Sequence, residues 1–250
     1  MASSFKVGQC IEGKVSTYTL SKQLHKDIWT AMYQAPANDR SPSPLTLNRS
    51  SKLGKVIIKS APKYRLDNER DVLKHFHARP GIRQLLDEIQ DPPSLVLKHL
   101  DDNLLSASNS KRLENPEIKF IAKRILEALQ AFHEDGYVHT GIALVSPFAS
   151  LFCILDIPNT NQIPDVKPDN ILINNSSGPR RFREVELGDC GDAGLVNPKH
   201  HLKLGDSGHM IGAHMFRSPE AMLNLRWGTA TDIWSFGTTV SDLDLRHCSV

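Results

Sequence analysis

The stretch 165–173 constrains this chain more than any other part of its sequence. It carries Asp165, Lys167 and Asn170 and then the apolar run 171–173, which predicts a short buried strand. An acid, a lysine and an amide held this close together can bind a hydroxyl group, a phosphate and a metal ion at one place. A solvated turn would use the same residue types, and the rest of the chain favours the first interpretation.

Three further motifs follow in chain order. Residues 187–191 read LGDCG, with Asp189 closing a short apolar stretch, residues 216–221 read FRSPEA, and residues 231–237 read TDIWSFG. Together with DVKPDN at 165–170, they resemble the catalytic loop, the Asp-Phe-Gly segment, the Ala-Pro-Glu segment and the start of the central helix of eukaryotic Ser/Thr protein kinases. Four motifs in this order indicate that family.

The N-terminal part of the chain carries a weaker match to the same family. Residues 55–59 read KVIIK, a β-branched run that ends in Lys59, and Glu69 follows ten residues later. The resemblance implies that Lys59 holds the α and β phosphates of ATP and that Glu69 is its ion-pair partner. Glu69 belongs to a set with helical spacing, which can share one helix face: Leu66, Glu69, Leu73 and Phe76.

Residues 94–100, SLVLKHL, read as a buried strand that runs into a connector. In the kinase family the connector between the lobes offers backbone hydrogen bonds to adenine. The resemblance therefore implies that His99 and Leu100 bind the base and that Leu97 lies at the back of the nucleotide pocket.

The segment 115–136 has the clearest helical pattern in the chain. Asn115 can cap its start, Pro116 suits its first turn, and Gly136 can end it. Apolar residues recur between them every three or four positions: Ile118, Ile121, Ile125, Leu129 and Phe132. In the family this segment corresponds to the long helix before the catalytic loop.

The resemblance implies an α+β fold of the two-lobed protein-kinase type. After an N-terminal extension at 1–17, a small β-rich N-lobe is expected at 18–100, and a mainly helical C-lobe at 101–250. The stretch 35–54 is rich in Pro, Ser and Asn and predicts a long flexible loop. We expect the C-lobe to be incomplete, because family members carry several more helices after the central one, and we expect apolar surface to be exposed on that helix.

The resemblance also implies a role for each polar residue of the site. Asp165 would take the proton from the acceptor hydroxyl, and Lys167 would neutralise the γ phosphate. Asn170 and Asp189 would hold magnesium. The implied cofactors are ATP and Mg²⁺, and the implied partner is a protein that serves as substrate or binding partner.

Residues 141–164 interrupt the family pattern between the segment 137–140, YVHT, and Asp165. The insert is apolar and nearly uncharged, and its removal rejoins the flanks in frame as YVHTDVKPDN. We interpret it as translated intron sequence, so that it is not native to the folded protein. A membrane segment is the weaker alternative, because no basic clusters flank it and polar or helix-breaking residues interrupt it: Pro147, Asp156 and Pro158.

Several positions depart from the family pattern. No glycine lies between Leu20 and Met32, where a glycine-rich loop would let backbone amides approach the phosphates. Other family residues are replaced at the adenine pocket, in the Asp-Phe-Gly segment and in the loops beside it: the replacements are Ile57, Cys190, Thr140 and Ala213. Three hypotheses therefore remain, namely an active Ser/Thr kinase, a pseudokinase that binds partners without turnover, and a mis-spliced product without function.

Composition excludes some partner classes. The formal net charge is +2, and the 30 Lys and Arg residues are spread along the chain, which argues against nucleic acid and membrane surfaces as partners. The four cysteines have no metal-ligand spacing, and no cleavable signal opens the chain. A reducing setting, cytoplasmic or nuclear, is expected.

Overall fold

The computed structural model describes residues 5–34, 53–139, 169–196, 216–223, 225 and 227–245. The chain forms two compact units. Unit 1 comprises Met1–His77 and Arg83–His99, and unit 2 comprises Ala78–Ile82 and Leu100–Val250. Unit 1 is rich in strands, whereas the longest elements of unit 2 are helices, so the predicted α+β fold is confirmed.

Unit 1 is built on one antiparallel sheet of six strands. The strands are β1 (Cys10–Glu12), β2 (Thr17–His25), β3 (Ile28–Gln34), β4 (Leu53–Lys59), β5 (Leu85–Ile89) and β6 (Ser94–Lys98). Their order in the sheet is β1-β2-β3-β4-β6-β5. Val56, Ile57 and Ile58 of β4 are all buried, which explains the continuous β-branched run, because a strand covered on both faces needs apolar residues at every position.

Two boundaries differ from the sequence prediction. Strand β1 lies in the part predicted as an extension, where Cys10 pairs with Thr19 of β2 and Glu12 with Thr17. A strand of three residues is too short to show an alternating pattern. Strand β4 begins at Leu53, so the predicted loop is wrong in its last two residues, and residues 35–52 lie outside the described residues.

Helix α1 (Lys63–His75) follows β4 in unit 1. Its buried residues are Leu66, Glu69, Val72 and Leu73. Steps of three or four residues connect them, so they form one face of the helix. Glu69 is the single charged residue among them, so the predicted face of apolar anchors with one carboxylate is present.

Unit 2 contains four helices and two small sheets among its described residues. The helices are α2 (Leu104–Ser110), α3 (Asn115–Glu134), α4 (Pro219–Met222) and α5 (Ala230–Leu245). The sheets are β10-β9-β7, formed by Phe182–Leu187, Ile171–Asn175 and Asp102–Asn103, and β11-β8, formed by Gly194–Leu195 and Tyr137–Val138.

Helix α3 confirms the clearest helical prediction and corrects its cap. The N-cap is Glu114, not Asn115: the backbone at Glu114 is extended, and its N–H donates to the Glu117 carboxylate at 2.8 Å. This reciprocal arrangement is a capping box. Gly136 follows the C-terminus with a φ of 77°, a left-handed conformation that glycine adopts without strain.

Helix α5 begins just before the motif TDIWSFG and continues to Leu245. Ile233 and Trp234 on this helix are 46% and 47% exposed, so the expected apolar surface is present. Within the described part of the chain, no helix is both long enough and apolar enough to cross a membrane.

Candidate functional site

Lys59 and Glu69 form an ion pair inside unit 1. Lys59 is the last residue of β4, Glu69 lies on the buried face of α1, and Nζ and Oε2 are 2.7 Å apart. The two side chains are only 14% and 2% exposed. Because the pair is shielded from water, loss of either partner would leave a buried charge without compensation and would be strongly destabilising. The structure thus brings the two residues together, and their role in holding phosphate stays a prediction.

Leu97 and Ile57 lie opposite each other in neighbouring strands β6 and β4. Both side chains are buried, with Leu97 fully so. These are the two residues that the resemblance places at the adenine pocket. His99 ends unit 1 and Leu100 begins the longer part of unit 2, so both follow β6 as a connector would; their binding role stays a prediction.

Asn170 and Asp189 lie at adjacent strand ends in unit 2. Asn170 immediately precedes β9, and β10 pairs with β9 so that Leu187 lies opposite Ile171. The N–H of Gly188 donates to the Asn170 carbonyl at 2.9 Å, and Asp189 is the next residue. An amide and a carboxylate are oxygen ligands of the kind that Mg²⁺ prefers, and Mg²⁺ usually keeps several waters besides one or two protein ligands. The chemistry of the two side chains is compatible with Mg²⁺, and their role as metal ligands stays a prediction.

The backbone of Asp189 is in the left-handed region, with φ 56° and ψ 59°. In the described part of the chain, Ala78 is the one other non-glycine residue with positive φ. Such conformations are disfavoured for residues with a Cβ and concentrate at functional sites. The strained position coincides with the residue that the sequence predicts as the main metal ligand.

Cys190 follows Asp189 and opens a short 3-10 turn that ends at Asp192. Its side chain is fully buried. The smaller thiol thus occupies an interior position where the kinase family has a phenylalanine.

The buried Asp232 carboxylate on α5 makes hydrogen bonds in the neighbourhood of the segment 187–191. The Asp232 Oδ2 atom accepts from the His139 backbone N–H at 2.9 Å and lies 2.9 Å from His133 Nε2. The His139 ring lies 2.9 Å from the Gly188 carbonyl through Nε2. Since a carbonyl only accepts, His139 Nε2 carries the proton. A continuous chain of hydrogen bonds therefore runs from α5 to the residue before Asp189.

Sequence reasoning did not assign roles to Asp232, His133 or His139. His133 and Asp232 are 99 residues apart, and each is surrounded by helical residues of ordinary type. The only signal was the position of Asp232 in the motif TDIWSFG, which marks a helix start but no partner.

The segment 216–221 is fastened to the start of α5. The Thr231 hydroxyl donates to Glu220 Oε1 at 3.0 Å and lies 2.9 Å from Ser218 Oγ. The Ser235 hydroxyl donates to the Phe216 carbonyl at 2.8 Å. Two of the four sequence motifs thus form one hydrogen-bonded cluster.

Some predicted residues lie outside the described residues: Asp165, Lys167, Thr140, Ala213 and the insert 141–164. Their predicted roles stay predictions. Within the described residues, no group of three His, Cys, Asp or Glu side chains could hold a metal ion by itself.

No family model matches the chain, but the curated proteins that it resembles include kinases. It is 26% identical to the serine/threonine-protein kinase dkf-2 of Caenorhabditis briggsae over 64% of the chain and 11% of that protein. It is 23% identical to cyclin-dependent kinase 12 of Caenorhabditis elegans over 92% of the chain and 28% of that protein, and 23% identical to the serine/threonine-protein kinase PAK mbt of Drosophila melanogaster over 71% of the chain and 23% of that protein. The chain is similar to Ser/Thr protein kinases.

The kinase-like chain spans between 11% and 28% of the length of these relatives. Its two units correspond to the strand-rich and helix-rich lobes of a kinase-like fold. The order of the four motifs and the Lys59–Glu69 ion pair between β4 and α1 agree with this similarity.

Proposed function

We propose that this kinase-like chain binds ATP with magnesium and transfers a phosphoryl group to a protein hydroxyl. The observation that supports this most is the shielded Lys59–Glu69 ion pair in unit 1. A lysine ammonium has three N–H donors, and an ion pair that fixes its position prepares it to neutralise phosphate oxygens.

In this proposal, residues of unit 2 bind the metal and act on the acceptor hydroxyl. Asn170 and Asp189 hold magnesium, which supplies charge neutralisation to the phosphates when bound. Asp165 accepts the proton of the protein hydroxyl, and Lys167 neutralises the γ phosphate. The hydrogen bonds from Asp232 through His139 to Gly188 hold the backbone beside Asp189 in place.

A second candidate function is a binding module of the kinase-like fold without turnover. Two observations favour it. The hairpin from β2 to β3 turns at Lys26 and Asp27 and contains no glycine between Leu20 and Met32, so side chains obstruct backbone approach to phosphate. Cys190 also replaces a large aromatic residue beside Asp189. For both functions we expect a cytoplasmic or nuclear setting, as the cysteine spacing predicts.

Replacing Lys59 with Met is expected to weaken the affinity for ATP with magnesium by about tenfold to a hundredfold. The substitution removes one charge-assisted contact to phosphate, worth about 1.5–3 kcal/mol. Isothermal titration calorimetry of the full chain measures this directly. The matched control is Lys55→Met, which removes an exposed lysine from the same strand and should leave the affinity unchanged.

Equal ATP affinity in wild type and Lys59→Met would contradict the assignment of the phosphate-binding lysine. The chain without residues 141–164 is titrated in parallel. If the insert is intron sequence, the shortened chain should bind ATP more tightly, since its catalytic loop is then continuous.

A further inference from the structure

A turn at residues 13–16, here called the N-terminal turn, is fixed to β5 through Asp87. This residue is 5% exposed, and its carboxylate has five donors at 2.7–3.2 Å: the backbone N–H groups of Lys14, Val15, Ser16 and Glu88 and the phenol of Tyr18. Burial and then the hydrogen bond to Asp87 raise the pKa of Tyr18, which keeps the phenol a donor. A carboxylate with this many donors holds the turn in one position.

The next residue of β5, Glu88, joins the N-terminal turn to helix α1. Its Oε2 atom lies 3.0 Å from Lys14 Nζ in the turn, and its Oε1 atom lies 2.6 Å from Lys74 Nζ in the last turn of α1. The Glu88 side chain is 17% exposed, whereas the two lysines are about half exposed. Burial disfavours the charged carboxylate, but hydrogen bonds from Lys74 and then Lys14 outweigh burial and lower the pKa of Glu88.

A cavity lies beside these ion pairs. It has a volume of about 360 Å³ and lies between the N-terminal turn, α1 and β5, with Leu73, Leu85 and Glu88 among its lining residues. Lys74 and Glu88 both line the cavity, so their ion pair joins α1 to β5 at this place.

We propose that Glu88 is a positioning residue for the Lys59–Glu69 ion pair. Glu88 holds Lys74, and Lys74 and Glu69 lie five residues apart on the same 13-residue helix, so a shift of the helix end moves Glu69 relative to Lys59. Lys14 pairs with the other oxygen of Glu88. We call Lys14, Glu88 and Lys74 the brace, which therefore includes the N-terminal turn. The consequence for nucleotide binding rests on the function proposed above, but the state of Lys59 is measurable without nucleotide.

The test is the acetylation rate of Lys59 in the full chain without nucleotide. The Lys59 side chain is 14% exposed and its Nζ lies 2.7 Å from Glu69, so the amine must leave this ion pair before it can react with N-hydroxysuccinimidyl acetate. We expect Lys74→Met and Glu88→Gln to raise the Lys59 rate about threefold to tenfold, as measured by peptide-resolved mass spectrometry. Lys14→Met should raise it less, because Glu88 keeps Lys74.

Two variants separate positioning from a general loss of stability. Lys74→Arg keeps the charge and should restore a rate near that of wild type. Lys63→Met, which removes an exposed lysine from the start of the same helix, should leave the rate unchanged. Amide hydrogen exchange in β3 should also stay at the wild-type rate, since global unfolding would accelerate it as well.

The proposal is overturned if Lys59 reacts at the wild-type rate in both Lys74→Met and Glu88→Gln, or if Lys63→Met or β3 exchange rises equally. An unchanged rate in Lys14→Met removes the N-terminal turn from the brace. A wild-type chain that binds no ATP while the Lys59 rates follow the expected order would contradict the proposed function and support the brace.

Discussion

Replacing Asp165 with Asn is expected to lower the rate of phosphoryl transfer to a protein hydroxyl by about 100-fold to 10,000-fold. The amide keeps the size and shape of the side chain but cannot accept the hydroxyl proton. ATP affinity should stay within about threefold, because the loss lies in the reacting state and not in ground-state binding. Transfer of labelled phosphate to a Ser/Thr peptide library gives the rate, and calorimetry gives the affinity.

Asp189→Asn is the comparison that assigns the two acids to different roles. If Asp189 holds the metal, this variant should weaken magnesium-dependent ATP binding and turnover together. Asp71→Asn, on the exposed side of α1, is the control that should change neither. Should the wild-type chain bind ATP but transfer no phosphate, with Asp165→Asn indistinguishable from it, the binding module without turnover replaces the enzyme as the function.

Replacing Asp232 with Ala is expected to lower the free energy of unfolding by about 3–5 kcal/mol. The Asp232 carboxylate is fully buried, and its removal leaves the His139 backbone N–H and the His133 ring without their acceptor. Asp232→Asn should cost less, because its amide oxygen still accepts from His139. Urea unfolding followed by circular dichroism measures the change.

Glu127→Ala is the matched control for Asp232→Ala. Glu127 pairs with Arg124 at 2.9 Å on the exposed side of α3, with 42% of its side chain in solvent. An exposed pair contributes about 1 kcal/mol or less. If Asp232→Ala costs no more than this control, the hydrogen bonds around Asp232 are not what holds unit 2 together.

Local patterns in the sequence predicted much of the fold. The 3-to-4 spacing located α3, and the β-branched run located β4, because helix and strand periods are set by neighbouring residues. The same patterns placed Lys59 at a strand end and Glu69 on a helix face, and the structure has them 2.7 Å apart. Only the family resemblance indicated that these two elements face each other.

Contacts between distant residues were not predictable in this way. Lys14 and Glu88 are 74 residues apart, and an ordinary lysine on an ordinary turn gives no sign of its partner.

The N-cap of α3 was not predictable from the sequence either. Asn115 and Glu114 can both cap a helix, and the choice depends on which backbone is extended, which is Glu114 with φ −90° and ψ 154°.

The left-handed backbone at Asp189 has a consequence for selection. Glycine adopts φ 56° without the strain that a Cβ introduces, which is of the order of 1 kcal/mol per residue. A chain with no need of a carboxylate at position 189 would therefore gain stability from a glycine there. The gain would matter, because the free energy of unfolding of natural domains is only about 5–15 kcal/mol. At position 189 the backbone angles alone favour glycine, and the chain has an acid there.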